Sequence, residues 1–303
     1  MSSVIRKVAL VGGSGRLGPY LLKALHSDPA FDVTVITRTN STATFPEGTK
    51  LIKVADGYPD DEIVKAFKGQ DAVILSLGYQ GGQHHAALAE ASKKAGVKRL
   101  ITGWGGNVAN QEAMEIFPIG KKVAEDIKAL EAMESPEWSW TAICCGLFFD
   151  FCLEVGFFGI DALTKTATIW DDGEQKFSVT ARPTIGLAVT KVLAHPKETA
   201  NRRVYISSFQ CSLNEILDGY KTITSSEGWN ITKVTSEEMV ANATENVKKG
   251  ENVMYSIGRL GLATAVKPGL QADFAAEGIL DNQMLGLETN ESSHEIIAKV
   301  LKA

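Results

Sequence analysis

The residues best suited to chemistry stand at the start of the chain. Val8-Ala9-Leu10-Val11 is an apolar run, and Gly12-Gly13-Ser14-Gly15-Arg16-Leu17-Gly18 follows it directly. Gly12, Gly15 and Gly18 keep a G-x-x-G-x-x-G spacing. The first glycine suits a tight strand-to-helix turn. The second admits a pyrophosphate against the backbone, and the third lets the helix pack closely on the strand. A helix opening here presents free N–H groups and a partial positive charge to phosphates, with Ser14, Arg16 and Leu17 in the same cradle. The position after a strand, at the head of a βαβ unit, favours dinucleotide binding over an ordinary packing turn.

The next strand bears on which dinucleotide. It ends Val35-Ile36-Thr37-Arg38-Thr39-Asn40-Ser41, with no acid to hold a ribose 2′-hydroxyl. Arg38 can instead fork onto a 2′-phosphate, and Arg16 could help. The expected cofactor is therefore NADP (NADPH); the competing reading is a solvated arginine. Leu77-Gly78 closes the fourth strand, where a cofactor would cross the sheet. Asp56 reads as an exposed loop aspartate rather than an adenine contact.

The usual acid/base of short-chain dehydrogenases is absent. Four residues after each of the six tyrosines stand Ala24, Glu62, Gln83, Phe209, Thr224 and Arg259, so no Tyr-x-x-x-Lys exists. His84-His85 opens a helix and reads as solvent-facing. Cys144, Cys145, Cys152 and Cys211 form no C-x-x-C and no zinc spacing, so they read as reduced core thiols. No metal is expected.

These residues need a scaffold. The chain has 303 residues, 31 basic and 36 acidic, for a formal charge of −5. That balance argues against a nucleic-acid-coating protein. The 44% hydrophobic and 22% charged content argues against disorder. The N-terminus runs into an apolar strand within a few residues, which leaves no room for a signal peptide. Trp138 to Ile160 is strongly apolar, but Asp150 and Glu154 interrupt it. It reads as a buried strand and an apolar helix rather than a membrane span. A cytoplasmic location is expected.

Short apolar runs alternate with helical patterns through the first half. Strands are expected at Val4–Val11, Val33–Thr37, Leu51–Val54, Asp71–Leu77, Val97–Thr102 and Trp138–Cys144. Helices are expected at Arg16–Ser27, Asp60–Lys68, Gln83–Ala95 and Ile119–Met133. Such alternation implies right-handed crossovers and a parallel sheet covered on both faces. After Gly146 the pattern breaks. Ala167–Trp170 and Lys176–Thr180 flank Asp171-Asp172-Gly173 like a hairpin. Ser212-Leu213-Asn214-Glu215 is a capping box. Helices are read at Pro183–Ala194, Thr235–Lys248 and Ser292–Leu301, and strands at Arg203–Ser207 and Trp229–Val234. The expected fold is an α/β, Rossmann-type, doubly wound parallel sheet with a smaller C-terminal α/β substrate lobe. Residues 1–146 would form the NADP-binding domain and 147–303 the lobe, tightly packed and with some chain exchange.

With these motifs in hand, the chain resembles the NmrA-like and isoflavone reductase-like atypical short-chain reductases, especially fungal members. The resemblance spans nearly the whole chain. It rests on the glycine turn, on Arg38, on Lys121-x-x-x-Glu125 and on Trp140-Thr141-Ala142-Ile143-Cys144-Cys145-Gly146-Leu147-Phe148-Phe149-Asp150. The resemblance implies NADPH, a catalytic helix lysine, and a Phe-Phe pair by the nicotinamide, which points to Phe148. By that match Lys121 is the catalytic candidate and a cofactor contact, with Lys122 next in register. The competing reading is a solvated Lys121 paired with Glu125. Phe148, Phe149, Phe151, Phe157 and Phe158 either floor an aromatic pocket or form plain core. The chain departs from the family after the fifth strand. It reads Thr102-Gly103-Trp104-Gly105-Gly106-Asn107 where reductases carry Ser-Glu-Phe-Gly-type residues. Trp104 either stacks on a ring or packs under the loop.

The leading expectation is an NADPH-dependent reductase of a small aromatic or polyketide-like molecule. The alternative is a non-catalytic NADP(H) sensor acting through a protein partner. A third option is an epimerase or isomerase. No nucleic-acid or membrane partner is expected, and the sequence leaves homo-oligomer formation open.

Overall fold

The structure, a computed structural model, describes residues 4–106 and 110–302, the side chains of Tyr79 and Gln80 excepted. Asn107 lies outside the described residues. Strands β1 (Lys7–Val11), β2 (Asp32–Arg38), β3 (Lys50–Val54), β4 (Ala72–Leu75), β5 (Arg99–Gly105) and β6 (Ser139–Cys144) build the first half. Helices α1 (Gly18–Ser27), α2 (Asp60–Phe67), α3 (His85–Lys94), α4 (Gln111–Ile116) and α5 (Pro118–Met133) connect them. A 3-10 turn over Tyr79–His84 delays the start of α3.

The rest of the chain holds β7 (Leu147–Phe148), α6 (Phe149–Glu154), β8 (Ile160–Asp161), β9 (Thr166–Trp170), β10 (Phe177–Thr180) and α7 (Arg182–Ala194). It continues with β11 (Arg202–Tyr205), β12 (Phe209–Cys211), α8 (Leu213–Thr224), β13 (Asn230–Val234) and α9 (Ser236–Lys249). Helices α10 (Val253–Val266), α11 (Asn282–Leu285) and α12 (Ser293–Val300) complete it.

The main sheet runs β11-β6-β5-β4-β1-β2-β3 and is parallel throughout. Its order reverses between β1 and β4. β4 is buried along its whole length and β1 beyond Lys7, because helices cover both faces. Two elements from beyond residue 146 belong to this body. β11 pairs with β6, and α7 lies on α1. Gly186 permits the second contact: a Cβ there would stand 2.6 Å from the Tyr20 carbonyl oxygen.

Asp71 ties together the amino ends of the central strands β1, β4 and β5. Its carboxylate accepts from the Arg6 and Lys7 amides (3.1 and 3.0 Å) and from Lys98 Nζ (3.0 Å). Burial opposes the charge, but these donors outweigh it and hold the carboxyl below its ordinary value. A lowered pKa contributes stability above the unfolded value of 3.8 and loses it as pH falls through the folded value. Asp71→Asn should therefore unfold at a lower urea concentration than the parent at pH 7. The gap should close as the pH is taken below that value.

The lobe contains two three-stranded sheets, β12-β10-β7 and β13-β9-β8. Its core is aromatic, with Phe149, Phe158, Trp170 and Phe177 fully buried. The hairpin expected around Asp171-Asp172-Gly173 does not form. β9 pairs with β8 and β13, and β10 with β7 and β12. The Asn214 side-chain amide donates to the Asp172 carbonyl (2.9 Å) and to Glu174 (2.6 Å), tying this turn to α8. The Ser212/Glu215 capping box is present and opens α8. Helix α10 has no counterpart in the sequence reading. Gly258 and Gly261 lower its helix propensity, and tertiary packing overrides that.

Candidate cofactor and active site

The glycine turn sits at the carboxyl edge of the sheet, where the strand order reverses. Gly12 has φ +84°, and a Cβ there would run into the Ser76 carbonyl beyond β4. A Cβ at Gly18 would strike the Gly12 and Gly13 carbonyls, so only glycine lets α1 begin this close to β1. At Gly15 the tightest intramolecular neighbour would be the Gly12 oxygen, at 3.3 Å. The Gly15 amide donates back to that oxygen (3.0 Å) and tightens the loop. The N-terminus of α1, after Leu17, has no side-chain cap and no acid in its first turn. An uncapped end beside a glycine cradle fits a pyrophosphate. Ser14 and Arg16 are exposed at this edge.

Two features flank the cradle. Arg38 ends β2, is exposed, and has no ion pair among the described residues. Asn40 instead engages Asp56 (2.6 Å), keeping that acid occupied. Arg16 is turned toward the lobe, its guanidinium 4.5 Å from the Phe151 ring centroid. Arg182 secures that ring's helix by pairing with Asp150 (2.8 Å) and with Glu154. If Arg38 holds a 2′-phosphate, Arg38→Ala should weaken NADPH binding about 10- to 100-fold, the worth of a charge-assisted hydrogen bond. NADH affinity should not move, and calorimetric titration of both nucleotides checks this.

Past β4, Ser76 still donates to Val11 (2.9 Å), and Leu77-Gly78 follows at the reversal point. Here β5 bulges between Gly103 and Gly105. The bulge puts Trp104 at φ +73°, a conformation that is costly for a residue with a Cβ. Its indole N–H donates to the Leu75 carbonyl (2.6 Å), across the end of β4. Trp104 and Phe148 pack against the same face of the main core. Phe149, the next residue, points the other way and is buried in the lobe.

Helix α5 begins after Phe117 and carries both lysines in its first turns. Lys122 pairs with Asp126, and His85 Nδ1 stands 3.6 Å from the same carboxylate. Burial raises the Asp126 pKa, but His85 and Lys122 outweigh it and the net shift is downward. Lys121 is exposed, and the Lys121–Glu125 pair does not form among the described residues. The two lysines are thus sorted, one tied down and one free. The histidines do not simply face solvent: His84 meets Tyr58 edge-on, and His85 lines a cavity of about 40 Å³ with Thr102 and Asp126. All four cysteines are buried and none forms a disulfide among the described residues, and burial pushes the Cys145, Cys152 and Cys211 thiols up.

The glycine turn, Leu77-Gly78, Trp104 and Phe148 therefore gather at one sheet edge, with Arg38 at the β2 end and Lys121 on the β5–β6 crossover. Residues 12–196 match the NAD(P)H-binding family. The chain belongs to that family. Oxidoreductase aprR from Aspergillus flavus is 33% identical, with 98% of this chain and 99% of the relative covered. Among solved structures, an isoflavone reductase aligns with a TM-score of 0.78 at 18% identity, covering 97% of this chain and 99% of that one. AtPrR2 with NADP+ and (+)pinoresinol aligns with a TM-score of 0.79 at 17% identity, covering 98% and 99%. The chain is an NAD(P)H-dependent oxidoreductase, and it shares its fold with the isoflavone reductase.

Proposed function

We propose that the chain is an NADPH-dependent reductase of a small aromatic or polyketide-like molecule, with residues 1–146, joined by β11 and α7, binding cofactor and most of 147–303 forming the substrate lobe. Lys121 carries this reading: it is a free ammonium on the helix beside the sheet edge, while Lys122 is held by Asp126. Bound NADPH would supply the hydride. The glycine turn would bind the pyrophosphate, and Arg38 would select the phosphorylated ribose. Ser14, Arg16 and Leu17 would complete the cradle, and Leu77, Gly78 and Phe148 would flank the nicotinamide half. Lys121 would hold or donate a proton at the acceptor oxygen as it gains charge. Support for an aromatic substrate comes from the aromatic side chains Phe148 and Phe151 near this edge, and from the pinoresinol bound by a neighbour of the same fold. Buried cysteines without a disulfide among the described residues support a reducing, cytoplasmic setting. No helix of the described residues is long and apolar enough to cross a membrane.

The test is NADPH consumption with a panel of aromatic ketones, enones and benzylic ethers. At least one should be reduced, and far faster with NADPH than with NADH. Tight NADPH binding without turnover on any of them would shift the reading to the NADP(H) sensor.

A further inference from the structure

Three arginines among the described residues are buried: Arg99, Arg182 and Arg259, at 3%, 6% and 7% exposure. Two have full sets of partners. Arg99 donates to the Ser139 hydroxyl (2.9 Å), to the Thr141 and Thr199 hydroxyls (3.1 and 3.0 Å), and to the Pro196 carbonyl. Arg182 meets Asp150 and Glu154. Arg259, on α10, has neither arrangement. Its one hydrogen bond among the described residues runs from Nη2 to the Phe157 carbonyl. No described carboxylate pairs with it, and its Nε is buried with no acceptor. One turn earlier, the Ser256 hydroxyl is buried and unpartnered as well.

A buried cation without a counter-ion is costly, and so is each unmet donor. Burial already lowers the pKa of this guanidinium. The surroundings are aromatic: the Phe157 and Tyr255 ring centroids lie 5.4 and 5.1 Å from Arg259 Cζ. They also lead back toward the reaction centre. A Cβ at Gly261 would stand 3.3 Å from the Phe117 ring and 3.6 Å from that of Phe157, so both rings rest on α10 where it lacks side chains. Phe117 directly precedes α5, and its carbonyl accepts from the Lys121 amide (3.0 Å). A line of aromatic rings therefore joins Arg259 to the helix of Lys121.

We infer that Arg259 and Ser256 form an anion subsite that takes a carboxylate carried by the aromatic substrate. The Nε donor that lacks an acceptor suits a carboxylate oxygen, and the unpartnered Ser256 hydroxyl adds a further donor. A phosphate would call for more positive charge, and no second cation is described against Arg259. The Phe157 and Phe117 rings would hold the aromatic body between this anchor and Lys121. This inference rests on the reductase reading and narrows its substrate to aromatic acids.

The test uses the protein saturated with NADP+, titrated calorimetrically with 4-hydroxycinnamate and with its methyl ester. The acid should bind about tenfold or more tighter than the ester, as expected for a hydrogen-bonded charge pair. Arg259→Gln should erase the preference, Arg259→Lys should restore part of it, and Ser256→Ala should reduce it. Equal binding of acid and ester by the parent, absence of binding by either, or a preference that survives Arg259→Gln would overturn the subsite. NADP+ affinity, measured first in each protein, separates the two readings. Intact NADP+ binding without acid preference removes the subsite alone, whereas no NADP+ binding by the parent removes both. Arg259→Gln should also unfold within a few degrees of the parent. Collapse of this variant, with Arg259→Lys folded but showing no acid preference, would make Arg259 a brace for the Phe157 carbonyl and nothing more.

Discussion

Lys121→Ala should lose about 10²- to 10⁴-fold in turnover, the range for a positioned proton donor, while NADPH affinity changes little. The argument is local. Lys121 and Lys122 are adjacent, both exposed and on one helix, yet only Lys122 has a fixed partner in Asp126. A lysine tied to a carboxylate is a poor proton donor to anything else. A free one, exposed at the start of the same helix, can meet a substrate oxygen. Lys122→Ala is the matched control. It removes an ion pair whose lysine is half exposed, leaves Asp126 with its His85 contact, and should leave turnover nearly intact. Steady-state kinetics and NADPH titration on both variants settle the order. Equal losses, or a loss only for Lys122→Ala, would move the role to the neighbour.

Gly15→Ala should fold normally and lose NADPH binding by about 10²-fold or more, because a methyl there occupies the pyrophosphate's approach. Gly12→Ala and Gly18→Ala should lose binding too, but for another reason. At both positions the added carbon runs into backbone carbonyls, and Gly12 also needs its positive φ. Overpacking of this kind costs roughly 1–3 kcal/mol or more, so these two variants should melt earlier than the parent. The contrast is the point of the series. At Gly15 the nearest described neighbour is 3.3 Å away, and relief of a few tenths of an ångström is enough. Thermal unfolding and calorimetry, run together, separate lost cofactor space from a damaged turn. NADPH binding by Gly15→Ala at parental strength would mean the pyrophosphate lies elsewhere.

The parallel body was legible because its signals are local and agree with one another. Val8–Val11 is apolar, Gly12 is obligatory at its φ, and Gly18 is obligatory for packing, all within eleven residues. The place of Arg38, at the end of β2 in a segment without an acid, was legible in the same way. The lobe was harder. Asp171-Asp172-Gly173 looks like a hairpin turn, but β9 pairs with β13 and β10 with β12, strands from well outside the turn. Helix α10 was invisible because glycines that weaken a helix on its own are what allow Phe117 and Phe157 to lie on it. The same concealment hid Arg259, whose lack of a counter-ion appears only once its neighbours are known. His85 was misjudged because Asp126, its partner, sits on a different helix. The bulge at Trp104 had one signal, the glycines on either side, and its consequence, an indole reaching over the end of β4, is purely tertiary.

The central claim is that this sheet edge binds NADPH through the glycine turn and Arg38. Thermal unfolding of the parent with NADPH, NADP+, NADH and NAD+ at matched concentrations tests it most directly. A nucleotide at 100 times its Kd should add about 2.7 kcal/mol of stability. NADPH and NADP+ should each raise the midpoint clearly, and NADH and NAD+ should barely move it. No shift from any of the four nucleotides would contradict the account.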